Sequence, residues 1–373
     1  MASIDANTTP ALEAHPGVIS NLQNPYSLEP YVLATSVLCL TLATMATLAR
    51  MFTKVYILKK VELEDYSLIV ANATFAAFTG VLLAGTVEGA GTHQWNVSVA
   101  QFRKVVLYAN VAEILYPPLM FAAKLAVLLQ IQRIFTVHKK TFIYWAALIL
   151  IAANFITYIT IFFIFIFACH PREKIWMSHI AGQCLDVNGA IIATGAMNLV
   201  SDITILFLPL IGIMDLQMPS KRKIGVAAVF GTCALSIVSS IFRLIYSVRL
   251  ARSNDVTWEL APVGMWALAE CETVIMVACF PTFPRLFKYL LGEDKNTSKH
   301  SYPTEQKSNN DRNSAPLRAL GNSPYQWQIT TGTTSVGSYY PFEERARREG
   351  IASETKPELD PSVVHVLSQF SMI

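Results

Sequence analysis

The chain has 373 residues, of which 53% are hydrophobic and only 15% are charged, with a mean hydropathy of +0.40. A soluble domain carries about a quarter charged residues, so this composition excludes an ordinary soluble protein and predicts one that lives in a membrane. A net charge of +3 is too small to argue for nucleic-acid binding, and the basic residues form short clusters between apolar runs instead of one stripe.

Residues 1–30 read as an extracellular or lumenal leader. It is polar, punctuated by Pro10, Pro16, Pro25 and Pro30, and free of Lys, Arg and Cys. Little fixed structure is expected before Tyr31, and the first apolar run follows too acidic a leader to be a cleaved signal peptide. Seven runs are long enough to cross a hydrocarbon core, which takes about 20 helical residues. They lie at about Tyr31–Phe52, Ser67–Val87, Val105–Ile131, Thr141–Ala168, Gly189–Ile213, Ile224–Val248 and Pro262–Phe283. The predicted fold is therefore all-α, a seven-transmembrane helix bundle over residues 31–288.

Basic residues in the connections set the expected orientation. With the N-terminus outside, the inner connections hold Arg50, Lys54, Lys59, Lys60, Arg133, Lys139, Lys140, Lys221, Arg222 and Lys223. The outer ones hold Arg103, Lys104, Arg172, Lys174, Arg249 and Arg252. Ten against six favours a cytoplasmic C-terminus, in the plasma membrane or an endomembrane. Two glycosylation sequons, at Asn7 and Asn96, then face the lumenal or extracellular side.

Taken in order, Glu64-Asp65 at the start of the second helix suit the positive end of its dipole and read as capping residues. His93, in the first outer loop, has no partner in the sequence and reads as structural; no metal site is expected there or elsewhere. Of the six cysteines, four fall in apolar helices and behave as small hydrophobes. Cys169 and Cys184 flank the outer loop between helices four and five, and a disulfide there would contribute about 3 kcal/mol on a chain-entropy argument. From residue 289 to 373 the composition turns to Ser, Thr, Asn, Pro and charge, which predicts a disordered cytoplasmic tail open to anionic lipid, phosphorylation or a signalling partner.

Ionisable groups inside a bilayer are expensive, so they are either paired or functional. The residues that resist a lipid-facing placement are Asn72, Glu113, Lys124, Asn154, Asn198, Asp202, Arg243, Glu270 and Glu272. At a rise of about 1.5 Å per residue, Glu113 and Arg243 fall in the outer half, Asn198 and the two glutamates near the middle, and Lys124 in the inner half with Asp202 slightly above it. Asn198 and Asp202, four apart, share a face. Asp202 or Glu272 is the expected counter-ion of Lys124, and Glu270 or Glu113 that of Arg243. Two readings stay open: pairs that fix helix register, or a polar cavity that binds a ligand or passes a proton. Pro117-Pro118, Pro209, Pro281 and Pro284 are expected to kink or end their helices.

A retinal protein would carry its lysine in helix seven, and Pro262–Phe283 has none, so retinal is disfavoured and no cofactor is expected. A G-protein-coupled receptor would end helix three in acidic-Arg-Tyr and helix seven in Asn-Pro-x-x-Tyr; this chain has Gln132-Arg133-Ile134 and Cys279-Phe280-Pro281 instead.

An ordered set of residues does carry a resemblance. It begins with Arg50, Asp65-Tyr66, Gly91-x-His93-x-Trp95, Lys124 before Arg133-Ile134-Phe135, and Cys169-x-Pro171 to Trp176 to Gly182-x-Cys184. It continues with Asn198-x-x-x-Asp202, Pro209, Leu216-x-Met218 before Lys223, Gly231, Arg243, Trp266-x-x-x-Glu270 and Cys279-x-Pro281-Thr282. Over residues 31 to 288 the chain resembles the fungal rhodopsin-domain integral membrane proteins, a family that includes CFEM-type receptor-like proteins and the satratoxin-cluster membrane protein. The family's helix-three Ser and Tyr are replaced by Ala126 and Ile131, and no eight-cysteine CFEM domain precedes the helices. The resemblance implies neither retinal nor a reaction.

Two functions are compatible with these features. The first is a receptor-like sensor whose outer-opening cavity binds a small apolar ligand. The second is a transporter or enzyme of a fungal secondary-metabolite pathway, with Asp202, Glu270 and Lys124 as acid-base groups. No metal motif, phosphate-binding loop or nucleophile elbow supports catalysis, and no internal repeat supports transport, so no catalytic residue is assigned and the sensor ranks first.

Overall fold

The structure is a computed structural model. It describes residues 6–17, 19–136, 141–177, 180–214 and 220–291, as backbone only at 134–136, 141, 210–214 and 220–230. Among the described residues, seven helices are long and apolar enough to cross a membrane. They are α1 (Glu29–Phe52), α2 (Leu63–Val87), α3 (Val99–Thr136), α4 (Thr141–Ile166), α5 (Val187–Met214), α6 (Ser220–Arg252) and α7 (Val256–Cys279), and a short α8 (Phe283–Leu290) follows. Between α4 and α5, β1 (Cys169–His170) and β2 (Gln183–Cys184) form a two-residue antiparallel pair with Cys169 opposite Cys184.

α1, α2, α3, α5 and α6 extend past the apolar runs expected from sequence, whereas α4 stops two residues before the expected Ala168 and α7 begins before Pro262 but ends at Cys279. The hydropathy signal marks only the stretch that must be dry, while polar residues such as Gln101, Arg103 and Lys104 in α3 or Arg249 and Arg252 in α6 continue the same backbone hydrogen bonding beyond it. Proline does less than expected. α3 runs on through Pro117 and Pro118 and α5 through Pro209, whereas α7 does end two residues before Pro281. Neighbouring helices shield the backbone carbonyls that a membrane proline releases, so the helix survives.

α3 and α7 form the interior. Their apolar windows are 61% and 56% buried, against 22% for α4, which presents Trp145, Ile149, Phe155 and Ile156 outward. Leu68, Phe75, Leu119, Met120, Leu128, Leu268 and Ile275 are sealed between α2, α3 and α7. On α1 the outward residues Leu33, Val37, Leu48 and Met45 leave an apolar face suited to lipid.

One end of the bundle, here the leader end, gathers the leader, the α2–α3 loop, the β1–β2 pair and the α6–α7 turn; α8 lies at the opposite, far end. The expected looseness of the leader is corrected by its contacts. Pro10 bridges to Ser98 and Ser27 to Thr92, the Asn21 amide donates to Asn96 Oδ1 at 2.9 Å, and the Leu28 amide donates to the Gly91 carbonyl at 2.9 Å. Polar, proline-rich chain cannot build a core, but its backbone groups still pair with a loop that offers partners. Gly91 makes this approach possible: its φ is +93°, and a Cβ there would sit 3.2 Å from that of Ala261 and 3.3 Å from that of Leu28.

Candidate functional site

Five helices bring their polar residues together in mid-bundle. α5 contributes Asn198 and Asp202 from one face, α3 contributes Lys124 and Tyr116, α4 Tyr158, α6 Ser240 and Arg243, and α7 Glu270. Lys124 Nζ lies 2.7 Å from Asp202 Oδ1 and donates to Asn198 Oδ1 at 2.8 Å. The Tyr158 hydroxyl donates to that same Asn198 oxygen at 2.5 Å, and Asn198 Nδ2 donates to Glu270 Oε1 at 2.6 Å. Arg243 pairs with Glu270 and with the Tyr116 hydroxyl, which in turn donates to Glu270 Oε2 at 2.8 Å. The Arg243 guanidinium also covers the Tyr116 ring, 4.1 Å from its centroid. Ser240 Oγ touches both Asp202, at 2.6 Å, and Glu270. Its one proton has two carboxylate acceptors within reach, so the hydroxyl can turn from one to the other. Two cations and two carboxylates thus balance inside the membrane, which is the condition for leaving charges there.

A cavity of about 110 Å³ sits on the leader side of this network. Phe78, Leu82, Ile191 and Leu260 give it apolar walls, Tyr116 and Arg243 line its deep end, and Glu113 stands one helical turn above Tyr116 on α3. On the other side, a space of about 20 Å³ touches Lys124, Asp202 and Ser236. Ser236 Oγ is buried there without a hydrogen-bond partner, and the space suits a single water.

The far end carries a second ionic cluster. Arg50, 1% exposed, places its guanidinium 2.8 Å from both Glu64 and Asp65, donates to Gln130 Oε1 at 2.6 Å and also reaches the Ala278 carbonyl. Lys54 Nζ adds a 2.9 Å contact to Glu64, and Arg133 reaches Glu62 and Glu64. One arginine therefore ties α1, α2, α3 and α7. Asp65 does cap α2, its Oδ2 accepting from the Glu62 amide at 3.0 Å, but capping is only part of its role.

Of the residues expected in a polar cavity, Lys124, Asn198, Asp202, Arg243 and Glu270 meet in one network. Lys124 takes Asp202, and Arg243 takes Glu270. Glu113 lies apart, in the cavity wall, and Glu272 joins nothing: it is half-buried, with no ion pair or hydrogen bond among the described residues. Two residues along a helix is about 200° of rotation, so Glu270 and Glu272 face opposite ways. Asn154 accepts from Ser201 Oγ at 2.6 Å across α4 and α5, and Asn72 stays outside the network with its Oδ1 unpaired.

Sequence reasoning missed Tyr116, Tyr158, Ser240 and the far-end cluster. A signal existed for α6, where Ser236, Ser240, Arg243 and Ser247 recur at helical spacing and are all buried. Arg50 and Lys54 were hidden because basic residues at a helix end read as ordinary topology markers.

At the leader end the Cys169–Cys184 disulfide is present. His93 is not alone, in contrast to the expectation. It is stacked between Trp95 and Trp258, 4.4 and 4.0 Å from their ring centres, with Nδ1 2.6 Å from Asp255 Oδ2. Asn96 is half-buried, its side-chain oxygen accepting from the leader at Asn21. The motif residues Leu216 and Met218 and the tail from residue 292 lie outside the described residues, as do Lys139 and Lys140.

Comparison with known proteins agrees with this architecture. A SAT4 family membrane protein of Emericella nidulans is 33% identical over 225 residues, 60% of this chain and 57% of that protein. Fugralins biosynthesis cluster protein 2 of Gibberella zeae is 29% identical over 294 residues, 77% of this chain and 73% of that protein. The chain thus spans less than two thirds of the first relative's length. No solved structure matches it. Residues 49–289 match the fungal rhodopsin domain, and with its seven membrane-spanning helices the chain belongs to that family as a multi-pass membrane protein.

Proposed function

We propose that the protein is a receptor-like sensor of a small apolar ligand, bound in the cavity on the leader side. The observation that carries this reading is the floor of that cavity: Tyr116 and Arg243 belong at once to the cavity and to the network that joins α3, α4, α5, α6 and α7. A ligand that displaces Tyr116 acts on Glu270, and through Asn198 on Lys124 and Asp202. It can shift the helices only by binding one arrangement better than the other, and a network of shared partners offers two arrangements to choose between. The leader end is taken as lumenal or extracellular, in keeping with the ten-to-six bias in basic residues and with the disulfide at that end. The tail from residue 289 would meet its partner in the cytoplasm.

This reading includes no retinal, because α7 holds no lysine to carry the chromophore.

The test is occupancy of the cavity. A void of about 110 Å³ lined by apolar side chains is in the range that accepts one aromatic ring. Toluene should raise the unfolding temperature of the protein in lipid nanodiscs. Gly264→Leu, which places a side chain against Leu82 in the cavity, should remove that effect. Equal stabilisation of both proteins would count against the cavity as a ligand site.

A second reading, as a membrane component of a biosynthetic pathway, is supported by the Gibberella zeae relative named for such a cluster. Metabolite profiling of a deletion strain separates the two. Loss of one product with accumulation of its precursor favours the pathway component, and broad transcriptional change with the product intact favours the sensor.

A further inference from the structure

The cavity wall contains a carboxyl group, that of Glu113, with no hydrogen-bond or ion-pair partner among the described residues. Apart from the Tyr108 hydroxyl, which also lines the cavity, its other polar lining groups are committed. Thr86 and Thr194 donate to the Leu82 and Ala190 carbonyls of their own helices, at 2.9 and 2.8 Å, and Tyr116 and Arg243 are bound to Glu270. Glu113 makes no hydrogen bond or ion pair with any described residue, although it lines a cavity whose walls are otherwise Phe78, Leu82, Ile191 and Leu260. The charge balance points the same way. Lys124 is matched by Asp202 and Arg243 by Glu270, Glu272 faces away on the opposite side of α7, and Glu113 is a carboxyl group with no ion-pair partner among the described residues.

Ionising an unpaired carboxyl group in apolar surroundings costs several kcal/mol, and a ligand amine offsets that cost by taking up the proton and bringing the charged donor to the carboxylate. From this geometry we infer that the ligand is a lipophilic amine: one ammonium group for Glu113, on an apolar body of about the size of one aromatic ring. This rests on the proposed role of the cavity as a ligand site and adds the ligand's chemical class. Arg243 is near enough for its charge to act on Glu113, but its hydrogen bonds go to Glu270 and Tyr116, which leaves the Glu113 carboxyl oxygens open to a ligand donor. An anionic ligand is disfavoured for the same reason, since it would meet Glu113 before any free cation.

Benzylamine, benzyl alcohol, toluene and benzoate share one ring and differ in the group that would face Glu113. Their affinities for the full-length protein in nanodiscs are the test. Benzylamine should bind about tenfold more tightly than toluene or benzyl alcohol, the scale expected for a charge-assisted contact over an apolar or neutral one, and benzoate more weakly than all three. In Glu113→Gln the preference for the amine should disappear while toluene binding stays within about threefold of wild type, because only the charged contact is removed. Glu113→Asp, which retains the charge, should keep the preference, and the wild-type series stands by itself if the glutamine variant does not fold. Equal binding of amine, alcohol and toluene overturns the amine but leaves the cavity reading intact. An amine preference that survives in Glu113→Gln overturns the role of Glu113, and binding of none of the four compounds overturns both readings.

Discussion

At the scale of single residues, Lys124 and Asp202 define what the bundle can tolerate. Both are buried, at 1% and 7% exposure, and each is the other's charge partner at 2.7 Å. Removing one partner of such a pair strands the other, which typically costs about 3–5 kcal/mol, whereas replacing both by apolar groups of similar volume is often close to neutral. Lys124→Met and Asp202→Leu should therefore each lower resistance to unfolding in a denaturing-detergent titration, and the double variant should be more stable than either single one. Additive losses would show that the two charges are stabilised separately, Asp202 by Ser240 and Lys124 by Asn198. Most of this site was legible as a set of residue types, since an ionisable group inside an apolar helix stands out. The pairings were legible only in part. Asp202 was one of two candidates for Lys124, and the choice against Glu272 follows from helix rotation. Tyr158 gave no sign at all, because a tyrosine in a membrane helix looks the same whether its hydroxyl meets lipid headgroups or Asn198.

At the scale of elements, the seven helices were readable because a bilayer imposes a length and a polarity on each one, and both are visible in a linear sequence. What joins the helices was not readable, because it depends on which faces meet. Arg50 is the clearest case: it sits where topology counting expects a solvated arginine, yet it donates to α2, α3 and the end of α7. The planar fork of an arginine serves several acceptors at once, and a lysine in its place is a point charge that cannot. Arg50→Lys should cost about 3 kcal/mol, near the lower bound for breaking a buried ion pair. Arg133→Lys, at a side chain 43% exposed, should cost about 1 kcal/mol or less. The same denaturing-detergent titration reads both, and comparable losses would mean that the far-end cluster behaves as a surface network.

At the scale of the whole molecule, the two ends of the bundle are built from different chemistry. The far end is closed by ion pairs among helices. The leader end is closed by backbone pairing of the leader, by the His93 stack on Trp95 and Trp258, and by the Cys169–Cys184 bond. A disulfide persists in an oxidising compartment, so the orientation derived from basic residues and the one derived from chemistry should agree. Two single-cysteine reporters test this, Asn254→Cys in the exposed α6–α7 turn at the leader end and Lys60→Cys, 71% exposed at the far end. The four free cysteines, at 39, 233, 271 and 279, are buried and give a low background. With a membrane-impermeant maleimide applied to intact cells, or to sealed vesicles of known sidedness if the protein resides in an endomembrane, Asn254→Cys should label from the extracellular or lumenal side. Lys60→Cys should label only from the cytoplasmic side. Glycosidase-sensitive mass at Asn7 or Asn96 would report the same sidedness independently. The reverse labelling pattern would place Cys169 and Cys184 in a reducing compartment and the amine-binding cavity on the cytoplasmic side, so a sensor of external ligands could no longer be maintained.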